Sequence, residues 1–323
     1  MHETLFGYIF DALIARNGDK CHMNLSTKKR LIVLGLVLAT ASWGASFFLA
    51  KAAIEAVGAW SCLFWRIGLT GLIVGIVFFG KLKSCSVKTI KTSCVLGLTL
   101  FLAFFTQVMG LQSITAGRSG FLTSLYVPFT PLFGLIILGQ KSTLRQILVA
   151  SIAVLGMCLL TQKETFELGS GEIWTLATAI IWGIQIVLTE KYARLIPDTL
   201  GLGVWQFVWF SLWMVVFVLP VKFFLDRSLD FGNPLYWSST INFSLFFNIL
   251  LATIFAFLLQ IVAQKYMGSL KVALIFAMEA PLAAFFGYLF LGELMNPREL
   301  TGAVIIFLTG IIPEAWLKES LRG

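Results

Sequence analysis

Ten stretches of mainly apolar residues follow one another along the chain, separated only by short charged gaps. Each is close to the roughly 20 residues that a helix needs to cross the hydrocarbon core of a bilayer. They run over 31–50, 59–80, 91–112, 117–138 and 144–162, then over 170–190, 200–222, 243–264, 270–291 and 299–317. The chain is 58% apolar and 12% charged, against about 45–50% and about 25% in soluble domains, so the excess cannot be hidden in a water-soluble core. The runs are continuous. Barrel strands would alternate over about ten residues, so spanning helices are expected. The fold class this predicts is an all-α integral membrane protein with ten transmembrane helices.

A net charge of +8 on 323 residues does not point to nucleic acid, because the Lys and Arg sit in the gaps between apolar blocks rather than on a basic face of a folded domain. They mark topology instead. With ten spans and the N-terminus inside, seventeen of the 24 basic residues fall in inner segments, among them Lys81, Lys83, Lys141, Lys191, Arg194, Lys265 and Lys271. Six fall outside: Lys51, Arg118, Lys163, Lys222, Arg227 and Arg298. Arg66 lies within a span. The positive-inside rule then places both termini in the cytoplasm. The five cysteines, Cys21, Cys62, Cys85, Cys94 and Cys158, fall singly, and the histidines are His2 and His22. Neither a metal site nor a disulfide framework is expected.

Residues 1–30 form a separate N-terminal segment. Leu5, Phe6, Ile9, Phe10, Leu13 and Ile14 recur at helical spacing. The segment reads either as an amphipathic helix on the membrane surface or as sequence ahead of a start at Met23. It does not read as a cleaved signal peptide, since a full-length span follows the basic cluster. Residues 318–323 are a cytoplasmic tail.

The two halves, 31–162 and 163–317, resemble each other. A shift of 139 places Trp43-Gly44 on Trp182-Gly183, and a shift of 140 places Phe64-Trp65-Arg66 on Val204-Trp205-Gln206. A shift of 153 places Gln107 on Gln260, Pro128 on Pro281, and LGQKSTLRQ on LGELMNPRE. Five is an odd number of spans, so the second copy enters the membrane from the opposite face and the repeats are inverted. The physical use of such symmetry is alternating access to a central site.

These features resemble the ten-span EamA type of the drug/metabolite transporter superfamily. The resemblance rests on WGASFFLAK in the first span, LFWRIGLTGLI around Arg66, and GRSGFLTSLYVPFTPLFGLIILGQKSTLRQILVASIAVLG across spans four and five. In the second half it rests on IIWGIQIVLTEKYA and LKVALIFAMEAPLAAFFGYLFLGELMNPRELTGAVIIFLTG. It implies an inner-membrane carrier with a central cavity between the repeats, most often an exporter of amino acids, related metabolites or toxic compounds. The first repeat departs in having Gln140 where the second has Glu293.

Candidate cavity residues are those whose chemistry is costly in lipid. Glu279 stands about ten residues into span nine, roughly 15 Å deep. An acid there costs about 2.5–3.5 kcal/mol on insertion scales. It either binds a cationic part of the substrate or a coupling proton, or locks the helix by a structural bond. Arg66 is suited to a carboxylate, which a guanidinium grips through two parallel bonds. It could equally pin helices or snorkel, and Arg118 is a similar case. Gln107 and Gln260 are repeat-equivalent amides that donate and accept, as cavity lining or interhelical glue. Tyr126 offers a hydroxyl two residues before Pro128. Trp43 and Trp182 either wall a pocket or pack over their neighbouring Gly. Trp205, Trp209 and Trp213 form a stripe expected to face lipid or a neighbouring helix. Pro128, Pro131 and Pro281 are helix-bend candidates, since each removes a backbone bond and frees the carbonyl four residues earlier.

The function expected is secondary-active transport of a small metabolite, outward and of amino acids or related compounds. Drug efflux or metabolite import by the same fold is the alternative. No GxxxxGK[ST] is present, so no nucleotide cofactor is expected, and the partners are a small-molecule substrate and membrane lipid. An intramembrane lipid-modifying enzyme is a remote alternative, since such chemistry needs converging acids, Ser/His or metal ligands. A channel would show selectivity rings or re-entrant motifs.

Overall fold

Turn residues and side-chain caps cut the apolar stretches into separate helices in the computed structural model, which describes residues 25–160, 169–225, 231–291 and 296–312. The first half holds α1 (Leu25–Val57), α2 (Ala59–Val77), α3 (Val87–Leu111), α4 (Ala116–Leu138) and α5 (Leu144–Leu160). The second holds α6 (Ser170–Leu195), α7 (Thr199–Pro220), α8 (Ser239–Tyr266), α9 (Ser269–Phe276 and Glu279–Leu291) and α10 (Pro297–Ile311). There is no strand among the described residues. Starts are capped where the sequence supplies a short polar side chain. Ser86 accepts from Thr89 N–H, Thr115 from Arg118 N–H, and Asp198 from Gly201 N–H, which satisfies donors a helix start leaves free.

Eight of these helices, α1 to α4 and α6 to α9, are long and apolar enough to span a membrane. The helices at the expected fifth and tenth spans are shorter, with 17 and 15 residues. Both expected spans, 144–162 and 299–317, run on into positions outside the described residues. Also outside are the amphipathic pattern from Leu5 to Ile14, the alternative starts Met1 and Met23, Glu293, and the tail 318–323.

The halves pack alike. α1 lies against α8 and α9, as α6 lies against α3 and α4, while α2 meets α7, α4 meets α9 and α5 meets α10. Exchanging each helix for the one five later turns this set of neighbours into itself. Gly44 and Gly183 make the equivalent contacts α1–α9 and α6–α4 close. A Cβ on Gly44 would stand 3.0 Å from Ala283 N, and one on Gly183 3.0 Å from Phe129 Cβ. Small residues at such crossings let helices approach where lipid offers no hydrophobic drive for association.

The outer surfaces of the bundle carry bare apolar side chains such as Leu72, Ile76, Ile136, Leu155 and Phe223, as lipid-facing helices require. The tryptophan stripe of α7 resolves toward a neighbour rather than lipid. Trp209 and Trp213 donate to the Ile90 and Cys94 carbonyls of α3 at 3.0 and 3.3 Å, and Trp205 to Leu82 O at 3.2 Å. An indole N–H finds a partner when buried, so these rings both pack and bond.

Two helices are broken where they meet. α4 is interrupted at Leu125, between Ala116–Ser124 and Tyr126–Leu138, and α9 at Ala277 and Met278. Pro128 and Pro281 follow these breaks by three residues. Pro131 lies within the second part of α4. α8 contains a π-helical segment, Leu250–Phe255, which has no counterpart in α3. Insertions of this kind gather at functional sites.

Candidate functional site

A central cavity lies between the halves, walled by α1, α2, α3, α4, α6, α8 and α9, with about 700 Å³ of empty space counting the part that opens outward. Glu279, Arg66, Gln107, Gln260, Tyr126, Trp43 and Trp182 all line it. Residues from Trp43 to Glu279 in sequence thus converge on one space. On α1 and α3 the lining extends to Ala50 and Leu111, toward the end of the bundle where those helices finish.

Arg66 is held by the π segment. Nε and Nη2 both donate to Thr253 Oγ1, at 3.2 and 3.1 Å, and the Thr253 hydroxyl donates to Asn248 O, five residues back, at 2.7 Å. The guanidinium also lies over the Phe104 ring, 4.5 Å from its centre, a cation–π contact. Of its five N–H groups two are used, leaving the Nη1 end and one Nη2 hydrogen as a fork. No carboxylate pairs with it among the described residues.

Glu279 starts the second part of α9, immediately after the break, and is 4% exposed. The Tyr126 and Ser124 hydroxyls stand beside it. Tyr126 is its repeat equivalent at the shift of 153 and starts the second part of α4. Tyr126 Oη, Glu279 Oε1 and Gln260 Oε1 are buried without a hydrogen bond of good geometry. Buried polar atoms are nearly always paired; Tyr126 and Glu279 have each other as neighbours, and the Gln260 carbonyl left over on the cavity wall marks it as a place for something polar. Gln107 is by contrast tied down, its amide donating to Ser119 Oγ at 2.6 Å and its carbonyl accepting from Thr123 at 2.9 Å.

The rest of the wall is aromatic. Trp43 donates to Ala252 O in the π segment at 2.7 Å and packs edge-on against Phe276, with ring centres 4.5 Å apart. Trp182 stacks on Phe257 at 5.4 Å and 13° and meets Phe104 edge-on. Sequence reasoning missed Phe104, Phe257 and Phe276. Each stands three residues before a polar candidate, Gln107, Gln260 and Glu279, so helical spacing could have placed it on the same face. Thr253 was not foreseeable, because its register depends on the π segment. Arg118 does not join the cavity. It forms an ion pair with Glu172, Nε to Oε1, at 3.0 Å.

The model of the EamA-like transporter family matches residues 30–162 and again 169–312. The chain belongs to the EamA-like transporter family. Its two matches are the two halves seen in the packing, and the drug/metabolite transporter superfamily fits. Among its relatives, a protein of Archaeoglobus fulgidus called an uncharacterized transporter is 28% identical over 285 residues, covering 88% of this chain and 86% of the relative. The uncharacterized transporter YoaV of Bacillus subtilis is 22% identical over 286 residues, covering 85% and 94%. A solved crystal structure with 14% identity superposes with a TM-score of 0.63 over 88% of this chain and 95% of that one, a likeness of fold. This EamA-like chain is therefore a membrane transporter with a small-molecule substrate, embedded in lipid.

Proposed function

We propose that this EamA-like protein is a secondary-active carrier that exports amino acids or closely related dipolar metabolites by alternating access. The observation that carries this reading is a guanidinium and a carboxyl group in one cavity: Arg66 and Glu279 line the same space and neither has an ionic partner among the described residues. Burying a charge is costly unless it is paired. A substrate with its own carboxylate and ammonium would supply both missing partners. Arg66 would hold the carboxylate through its free fork, and Glu279 the ammonium. Trp43, Phe257 and Phe276 would receive an apolar side chain, and their faces would also favour the cation.

The architecture proposed is ten spans, as two inverted five-helix repeats at 31–162 and 163–317, in the bacterial inner membrane with both termini cytoplasmic. Rocking of the repeats would turn the cavity from one side to the other, with the breaks before Pro128 and Pro281 as bending points and Pro131 extending the first. Glu279 is also the proposed site of a coupling proton. Drug efflux is the second reading, favoured by one feature, an acid among aromatic rings, which would hold an organic cation. Arg66 argues against it.

Counterflow in proteoliposomes tests the reading, with amino acids offered beside their decarboxylated and deaminated analogues. The zwitterion should exchange and both analogues should compete weakly; exchange of the amine alone would favour drug efflux. In the same vesicles Glu279→Gln should abolish uptake driven by a pH gradient, and unchanged pH dependence removes Glu279 from coupling.

A further inference from the structure

A second cavity lies at the opposite end of the bundle from Ala50 and Leu111, with Thr130, Lys141, Glu190, Arg194, Ser269 and Lys271 among its walls. Its volume is about 1110 Å³ counting the part that opens outward. A single helical turn separates it from the central cavity. On α4, Tyr126 faces the one and Thr130 the other; on α6, Ile186 and Glu190 do the same, a step of about 6 Å along each helix. Gln264 lies in this partition, donating to Ile186 O at 2.6 Å.

Glu190 spans the partition's rim. It is 1% exposed. Oε2 accepts the Ser269 backbone N–H at 2.6 Å, and Oε1 pairs with Arg194 at 2.8 Å. Ser269 is the first residue of α9, and the residue before it, Gly268, has no side chain to cap the helix. Glu190 therefore supplies from α6 the cap that α9 lacks, with its negative charge on the positive end of the helix dipole.

The repeat provides a second, independent observation. At the shift of 139, Glu190 corresponds to Lys51 and Arg194 to Glu55, so the same i,i+4 ion pair recurs with its signs reversed. Lys51 donates to Leu111 O at 2.8 Å and pairs with Glu55 at 3.4 Å. Leu111 is the last residue of α3, whose carbonyl end is negative. An anion at one mouth thus holds a helix start, and a cation at the other holds a helix end.

We propose that Glu190 is the latch of the mouth on the Lys141–Arg194 face, a positioning residue that keeps the central cavity shut on that side while it caps α9. Release of the Ser269 N–H frees the first part of α9 to swing at the break of Ala277 and Met278, which joins the two cavities. The inference rests on the carrier reading above and deepens it by naming the contact that must break in each cycle.

The test uses the full chain in sealed vesicles, with the five native cysteines replaced and Ser46→Cys as a reporter in the central cavity. A charged, membrane-impermeant methanethiosulfonate is added from either side. With Glu190 intact, the reporter should react from the Lys51 face and be protected from the Lys141 face. Glu190→Ala should raise the rate from the Lys141 face roughly tenfold or more, the value of one charge-assisted bond, and lower it from the Lys51 face. Glu190→Gln keeps an acceptor for Ser269 N–H, so a shift of several-fold in the same direction is expected, and this variant decides the matter if the alanine protein does not fold. Folded protein with unchanged labelling from both faces overturns the latch. Counterflow is measured on the same vesicles: intact exchange with unchanged labelling refutes the latch alone, whereas absent exchange in the unaltered protein refutes the carrier.

Discussion

Replacing Arg66 with Lys isolates the role of the guanidinium fork. In the folded protein Nε and Nη2 are fixed on Thr253 Oγ1 at 3.2 and 3.1 Å and the group lies 4.5 Å from the centre of Phe104, so the free edge is aimed before substrate arrives. Lysine keeps the positive charge but offers a point rather than a planar pair of donors. It should forfeit one of two charge-assisted bonds to a carboxylate, about 1.5–3 kcal/mol, which is a rise in Kd of roughly ten- to a hundredfold. Thr253→Val removes the prop without changing the charge and should move Kd the same way by less. The assay is competition in counterflow by an amino acid and by the amine made by removing its carboxylate. R66K should weaken the amino acid and leave the amine within about twofold, since the amine never used the fork. Equal weakening of both, or of neither, refutes carboxylate binding at Arg66.

Gly183→Val should loosen the α4–α6 crossing, because its Cβ would lie 3.0 Å from Phe129 Cβ and 3.1 Å from Phe133 Cδ2. Overpacking of this kind costs about 1–3 kcal/mol, so the purified protein should unfold several degrees lower in a thermal scan, and an unchanged midpoint contradicts the packing described. Outside the spans, burial and the neighbouring Asp198 carboxylate push the Cys85 thiol up to about 11, against an opposing pull from Lys81. The thiolate is the reactive form, so maleimide labelling of Cys85 should be slow at neutral pH and rise about tenfold per pH unit as pH climbs toward 11. Asp198→Asn should speed it at fixed pH; labelling as fast as an ordinary free thiol would contradict this environment.

Much of this arrangement was legible in the chain because lipid imposes a strong rule. Apolar windows located the eight helices long enough to span a membrane, and the recurrence of Trp-Gly and of Gln107 and Pro128 at fixed shifts anticipated the two family matches. The cavity candidates stood out because Glu, Arg and Gln are expensive at their depth, and residues of that kind gather where protein, not lipid, surrounds them. Faces were harder to read. When a helix is apolar all round, periodicity no longer separates the lipid side from the protein side, and so the Trp205, Trp209 and Trp213 stripe had two readings until the α3 carbonyls were seen. The aromatic wall of Phe104, Phe257 and Phe276 was hidden among 30 phenylalanines. Thr253 and Glu190 could not be singled out at all, since the first depends on a local change of helical pitch and the second on a backbone N–H contributed by another helix.

The central claim is that the two halves are threaded through the membrane in opposite senses. Ala56 and Leu195 are exposed, repeat-equivalent residues near the ends of α1 and α6, so single cysteines placed there in a cysteine-free chain report directly on that threading. Impermeant thiol labelling of intact cells and of inverted vesicles should find position 56 on one side of the membrane and position 195 on the other. Both positions reacting from the same side would contradict the inverted repeat, and with it the alternating cavity.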